Sequence, residues 1–290
     1  EGATLKLGNN GIVNIKGTAG STTSAVSSSN TGGGAKYLIT GTDGNGGNAG
    51  AYTISNAEVS VDTSSAAQTI SNILSNSKLI NNGSYKLVSD NTASTYSAID
   101  ATKGSIDILN AQNQTLGSLT IGGGKTVGLY IGDTVPAAPT SADEATVTTS
   151  SLTVGGTGAT LNANLVLSDG ATVKLAAALT MGSSVTLGEG MILSGDLVST
   201  IKTMSEDGIV DLFTGVDKLY LGDSTVASVT LDATSGVNLS EYFNFDGASD
   251  YYLGYDGTNV FAGVMPVPEP TTATLSLLAL AGLAARRRRK

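Results

Sequence analysis

The strongest constraint on this chain is a run of three 12-residue units, each led by glycine: GATLNANLVLSD from Gly158, GATVKLAAALTM from Gly170 and GSSVTLGEGMIL from Gly182. Within every unit the main apolar residues fall at odd offsets from the glycine. They are Leu161, Ala163, Leu165 and Leu167, then Val173, Leu175, Ala177, Leu179 and Met181, then Val185, Leu187, Met191 and Leu193. A period of two is the signature of β-strands with one face toward a core and the other toward solvent. Strands rise about 3.3 Å per residue, so each unit holds one or two short strands and a glycine-led turn.

Two architectures accommodate this pattern. A parallel β-solenoid stacks such units, about two to a coil, and buries the apolar row of each coil against the next. An antiparallel sandwich uses the same turn spacing, and Asp169-Gly170, a hairpin-type dipeptide, supports it. Met181-Gly182 carries no hairpin signal, and uniform unit length favours stacking. The expectation is therefore an all-β chain built as a parallel β-solenoid (β-helix) with Gly-rich loops, the antiparallel sandwich being the alternative. The same grammar recurs in GATLKLGNNGIVNIKG from Gly2, in LGSLTIGGGKTVGLYI from Leu116 and in KLYLGDSTVASVTLDATSGVNL from Lys218.

Three stretches break it. Residues 17–50 are dominated by Gly, Ser, Thr and Asn and read as long loops or an insertion. Residues 66–80 carry Ile70, Ile73, Leu74 and Ile80 near helical spacing, which predicts a short helix. Residues 135–150, with Pro136 and Pro139 among polar neighbours, read as a linker or loop. This divides the chain into a β-rich segment at 1–134, the linker at 135–150, the repeat segment at 151–265 and a distinct C-terminal segment at 266–290. The chain opens with Glu1-Gly2 rather than Met, as a processed form or a fragment would.

Residue inventory narrows the chemistry. Of 290 residues none is Cys, His or Trp, 38 are Gly, and only 13% are charged. Thiolate or imidazole catalysis, zinc fingers, haem or iron–sulfur ligation and disulfides are excluded on that ground. Zero cysteine says nothing about compartment, since exported proteins need not use disulfides. All four arginines stand in the last five residues, so residues 1–285 hold 10 lysines against 24 acids, a net of −14. Nucleic acid binding needs clustered Lys or Arg and is not expected.

The remaining motifs are weak. Thr42-Asp43-Gly44-Asn45-Gly46-Gly47-Asn48 resembles a calcium loop but lacks the nonapeptide repeat and the closing Glu, so a plain turn is expected. The stretch from Asp246 to Asp256 sets Tyr251, Tyr252 and Tyr255 among acids, a composition found in sugar sites and also in the outer face of a terminal strand. Glu206, Asp207, Asp211 and Asp217 could supply a glycosidase pair only if two carboxyls met within about 5 to 9 Å. Gly122-Gly123-Gly124-Lys125-Thr126 lacks the phosphate-loop spacing. No catalytic, metal-binding or cofactor-binding residue is assigned, and no cofactor is expected.

The C-terminus is more specific. Val267-Pro268-Glu269-Pro270 precedes TTATLSLLALAGLAA, a charge-free run of 15 residues, and then Arg286, Arg287, Arg288, Arg289 and Lys290. As a helix the run would be about 22 Å long, short of the roughly 30 Å hydrocarbon layer by an amount that snorkelling flanks or local thinning can cover. The basic block would act as a stop held on the cytoplasmic side. This order of elements resembles the PEP-CTERM sorting signal of Gram-negative bacteria. The resemblance implies export, transient anchoring in the cytoplasmic membrane through the C-terminal helix, and recognition at Pro268, Glu269 and Pro270 by an exosortase-type transpeptidase that removes the tail. It further implies bacteria that make exopolysaccharide or biofilm matrix, with exopolysaccharide or other surface proteins as partners. The body is similar to autotransporter-type β-strand repeats of surface proteins, through the glycine-led pattern at Gly2, Gly158 and Gly170. The functional expectation is an exported envelope or extracellular-matrix protein of structural or adhesive role. The alternative is a carbohydrate-binding or polysaccharide-degrading β-helix.

Overall fold

The computed structural model describes residues 52–264, apart from 65–66, 71–72, 91–92, 205–207, 222–223, 227–236, 239–242 and 245–250, together with the strands Ile12–Lys16, Val26–Ser29 and Ala35–Thr40. Strands dominate, and nearly all pair in parallel with the strand one coil away. They form a 14-stranded sheet, a 10-stranded sheet and a 3-stranded sheet. This is a parallel β-solenoid, and the antiparallel sandwich is excluded.

The coil length follows from the contacts between successive turns. Asn76 Nδ2 donates to Asn56 Oδ1 at 2.8 Å, and Ser184 Oγ to Asn164 Oδ1 at 2.7 Å, each across 20 residues. The 12-residue spacing in the sequence is thus not the structural period. It records where one strand grammar restarts, whereas a coil closes after three sides and three corners. Thr146–Val154 and Asn164–Leu175 show the geometry directly. The first half of each pairs with one column of strands and the second half with another, with a register shift between Thr149 and Ser151 in the earlier strand. The third side is formed by strands such as Ile106–Leu109, Thr126–Leu129, Thr160–Asn162 and Leu179–Met181.

Apolar alternation explains why the chain folds this way. From Ala159 to Leu187 every odd residue except Asp169 is buried, through strands and corners alike. Leu165 stacks between Val147 and Val185, and Leu152 between Leu119 and Val173, so each coil fills the core of its neighbours. Rungs separated by about 4.8 Å bury these side chains almost completely, at roughly 1.5–3 kcal/mol for each large one. One continuous cluster runs from Ile54 to Ala262.

Corners need residues that tolerate a left-handed backbone. Gly170 and Gly190 stack at one corner with φ of 66° and 65°, and Gly170 N donates to Glu189 O at 2.8 Å. Asp169-Gly170 therefore turns the chain between two faces of a parallel stack, where the sequence signal alone read as a hairpin. Asn56 and Asn76 hold the equivalent corner in earlier coils with φ of 49° and 46°. Asn does this because its short polar side chain bonds locally and offsets the steric cost. The Gly122–Gly124 triplet is another corner, packed against Gly155, Gly156 and Gly158 of the next coil.

The helix expected at residues 66–80 is absent. Gln68–Ile70, Ile73–Ser75 and Ser77–Asn81 are strands. Ile70, Leu74 and Leu79 point inward from three sides of one coil, and corner residues between them mimic helical spacing. The one helix among the described residues, Asp196–Lys202, is an insertion that buries Val198 and Ile201 and places Asp196 and Lys202 at the ends where each complements the dipole. After it Ile209–Thr214 and Leu219–Leu221 still stack in parallel on Leu179–Met181 and Val185–Leu187, and antiparallel pairs then join this end of the stack. Val260–Val264 lies antiparallel to Ile209–Thr214 and to Tyr251–Tyr255, and Leu219–Leu221 pairs antiparallel with Ser224–Val226. Such hairpins cover strand edges that would otherwise template further pairing.

Candidate functional site

The solenoid departs most from its plain coil at residues 131–145. There the chain leaves the third side after Tyr130, runs over the outside as a strap and re-enters at Thr146, lengthening this coil so that Thr146 N reaches back to Asn113 Oδ1 across 33 residues at 2.8 Å. Exposed Val135 and the intermediate Pro136 and Pro139 fall in this stretch, where the sequence predicted a linker or loop. The strap is pinned at its returning end. Ile131 N donates to Asp143 O at 2.9 Å, Thr140 Oγ1 to Asp143 Oδ2 at 2.7 Å, and Ser141 Oγ to Asp217 Oδ2 at 2.7 Å. Asn164 Nδ2 donates to Ser141 O at 2.9 Å and to Glu144 O at 3.0 Å, tying the strap to the next coil.

At its base lies a set of buried polar residues, Tyr130, Asp107 and Glu144. Tyr130 is 1% exposed, its ring placed against Gly128, where any Cβ would strike it. Gly128 is required at this position for that reason. Asn162 Nδ2 donates to the Tyr130 hydroxyl at 2.8 Å. Burial pushes the Tyr130 phenol up to about 12, the Asn162 contact offsetting part of it and the Asp107 and Glu144 charges adding to it. Asp107 is the register partner of Gly128 and is 1% exposed. Its Oδ2 pairs with Lys86 Nζ at 2.5 Å, while Oδ1 has no partner.

Glu144 is the most unusual member. It is 2% exposed and neither carboxyl oxygen has a hydrogen-bond partner. Burial raises its pKa to about 7; the nearby Ser183 hydroxyl offsets part of the rise, and the charges of Asp143 and Asp217 increase it. Removing an ionised carboxylate from water without a partner is costly, and protonation is the response.

On the other side of the strap a shallow groove of about 320 Å³ opens onto the sheet. Its floor comes from two outward columns. Thr146, Asn164 and Ser184 occupy one, with Lys218 just before the next rung; Val166, Thr186 and Tyr220 occupy the other, and Ser141 supplies the strap wall.

The sequence-derived candidates distribute as follows. Asp211 lies on Ile209–Thr214 with its carboxyl raised by burial and by Asp256, whereas Asp217 accepts from Ser141 in the strap. Glu206 and Asp207 lie outside the described residues, as do the calcium-like stretch at 42–48, the motif Pro268, Glu269 and Pro270, and Arg286 to Lys290. Tyr255 is not a surface residue. It is 3% exposed and its hydroxyl donates to Val216 O at 3.1 Å. Among the described residues no group of three or more acids could hold a metal ion, and no helix is long and apolar enough to cross a membrane. Sequence reasoning missed Asp107, Tyr130 and Glu144. Asp107 has outward parity in Ile106–Leu109, and only the tertiary structure, with the Tyr130 ring laid against its register partner Gly128, shows that it is buried.

No curated protein and no solved structure matches this chain. Residues 266–290 match the family model described as the PEP-CTERM protein-sorting motif, so the chain carries the signal of an exported protein sorted through an exosortase, with a β-solenoid as its body.

Proposed function

We propose that this protein is a structural or adhesive component of the bacterial cell envelope or extracellular matrix, delivered there by its C-terminal signal. The observation that carries the reading is the pairing of that signal with a solenoid whose inner face is apolar and whose outer columns are rich in Ser, Thr and Asn. One such column, Thr126, Thr160, Thr180 and Thr214, passes through four consecutive rungs of the third side. Repetition of short polar side chains at about 4.8 Å intervals supports many weak, equivalent contacts rather than turnover at one centre. An arginine-free body at −14 favours neither nucleic acid nor anionic lipid as the partner.

Delivery is tested by expressing the full chain and a Pro268→Ala, Glu269→Ala variant in a host that has the exosortase, then following mass and surface accessibility. The parent is expected to lose its tail and become surface-accessible, and the variant to remain full-length in the membrane fraction. Equal processing and exposure of the two would defeat the sorting role of these residues. The matrix role is tested separately, by whether the parent fractionates with washed extracellular matrix.

A further inference from the structure

We propose that the groove beside the strap binds an extended, uncharged polysaccharide strand laid along the stacking direction. The inference rests on the envelope reading above and names a partner class for it. The groove is built rather than incidental. Asn164 Nδ2 directs both its donors to the strap carbonyls of Ser141 and Glu144, and Asn164 Oδ1 accepts Ser184 Oγ at 2.7 Å, so floor and wall are held to each other.

What remains available is a specific set. Among the described residues the Thr146 and Thr186 hydroxyls, the Tyr220 phenol and the Lys218 ammonium make no hydrogen bond or ion pair, and all line the groove. Hydroxyls that both donate and accept match the hydroxyls of a sugar, which also do both. Val166 and the Tyr220 ring supply the apolar surface on which the C–H face of a pyranose packs. Successive rungs repeat at about 4.8 Å, close to the advance per sugar in an extended β-linked chain, so a periodic polymer meets equivalent groups on consecutive coils. Lys218 is the groove's single cation, and Asp217 stands beside it in sequence with its Oδ2 bonded to Ser141. Their charges offset one another, which favours a neutral occupant over a polyanion.

The test is affinity electrophoresis of the full chain in native gels cast plain, with soluble mixed-linkage β-glucan, or with polygalacturonate. The parent is expected to be retarded by the β-glucan. A Thr186→Ala, Tyr220→Ala variant should bind about tenfold more weakly, and a Thr120→Ala control, on a neighbouring face, should behave as the parent. Both altered sites are on the outer surface, and thermal unfolding will show whether the variants keep the fold. Retardation of the double variant equal to the parent's, absence of parental retardation by the β-glucan, or retardation only by polygalacturonate would each overturn the inference. Normal tail processing and matrix fractionation in a protein that ignores β-glucan would sink the groove alone, whereas loss of those two would strike the envelope reading.

Discussion

Replacing Glu144 by Gln should remove a pH dependence that the strap builds into the stability of the fold. Glu144 titrates near 4.5 when exposed and near 7 in the folded chain. Between those values the folded chain holds a proton that the unfolded chain has released, so stability falls as pH rises from about 4.5 through about 7. Above that window the cost of the buried, unpartnered carboxylate is fully present. Each tenfold change in proton affinity corresponds to about 1.36 kcal/mol, so the upper bound is about 3 kcal/mol. Water entry as the strap loosens should reduce the observed effect to about 1–2 kcal/mol. Gln has the same shape and does not titrate. Urea unfolding at about pH 5 and about pH 8 should therefore give similar stabilities for parent and variant at the lower pH and a more stable variant at the higher one. The charges facing the site, Asp143 on the strap and Asp217 one coil beyond Ser183, are retained in both proteins, as is Tyr130. If parent and variant lose stability in parallel over this range, Glu144 is not the titrating group and the reasoning fails.

Two further outcomes follow from the coil geometry. At the Gly170 corner a Cβ meets nothing within 4 Å but the φ of 66° is left-handed, so Gly170→Asn should be close to neutral in thermal unfolding while Gly170→Val should cost about 1–2 kcal/mol. Buried Asn81 donates to Tyr85 O at 2.8 Å and to Ser105 O at 2.9 Å while its Oδ1 accepts from Thr63 Oγ1 and Gly83 N, so Asn81→Ala should lower urea stability by about 3 kcal/mol; a loss within error of zero would show that water replaces these bonds.

Much of the stack was legible because solenoid side chains obey a local rule. Odd-position burial from Leu161 to Leu193, broken only at the corner residues Asp169 and Glu189, can be read directly, and the inward residues are those the alternation names. The failures share one cause. Corners are short and interrupt neither parity nor composition, so Ile70, Leu74 and Ile80 imitated a helical stripe while belonging to strands on three different sides of a coil. Asp169-Gly170 imitated a hairpin for the same reason, since a left-handed residue serves either turn. In the candidate site, Pro136 and Pro139 announced a loop, yet nothing local stated which surface that loop would cover.

Alternation, the absence of Cys and His, and the ordered tail of Pro268-Glu269-Pro270, apolar run and basic block were enough to determine an all-β body with an export signal, because each is a property of neighbours in the chain. Tertiary structure alone decided the 20-residue coil, the three-sided cross-section and the burial of Glu144, Asp107 and Tyr130. Coil length depends on how corners add up around a closed turn, and the environment of a side chain depends on residues a coil or more away. Thr146 and Thr186 are ordinary outward threonines in the sequence, and they line one groove only because stacking brings their rungs beside the strap.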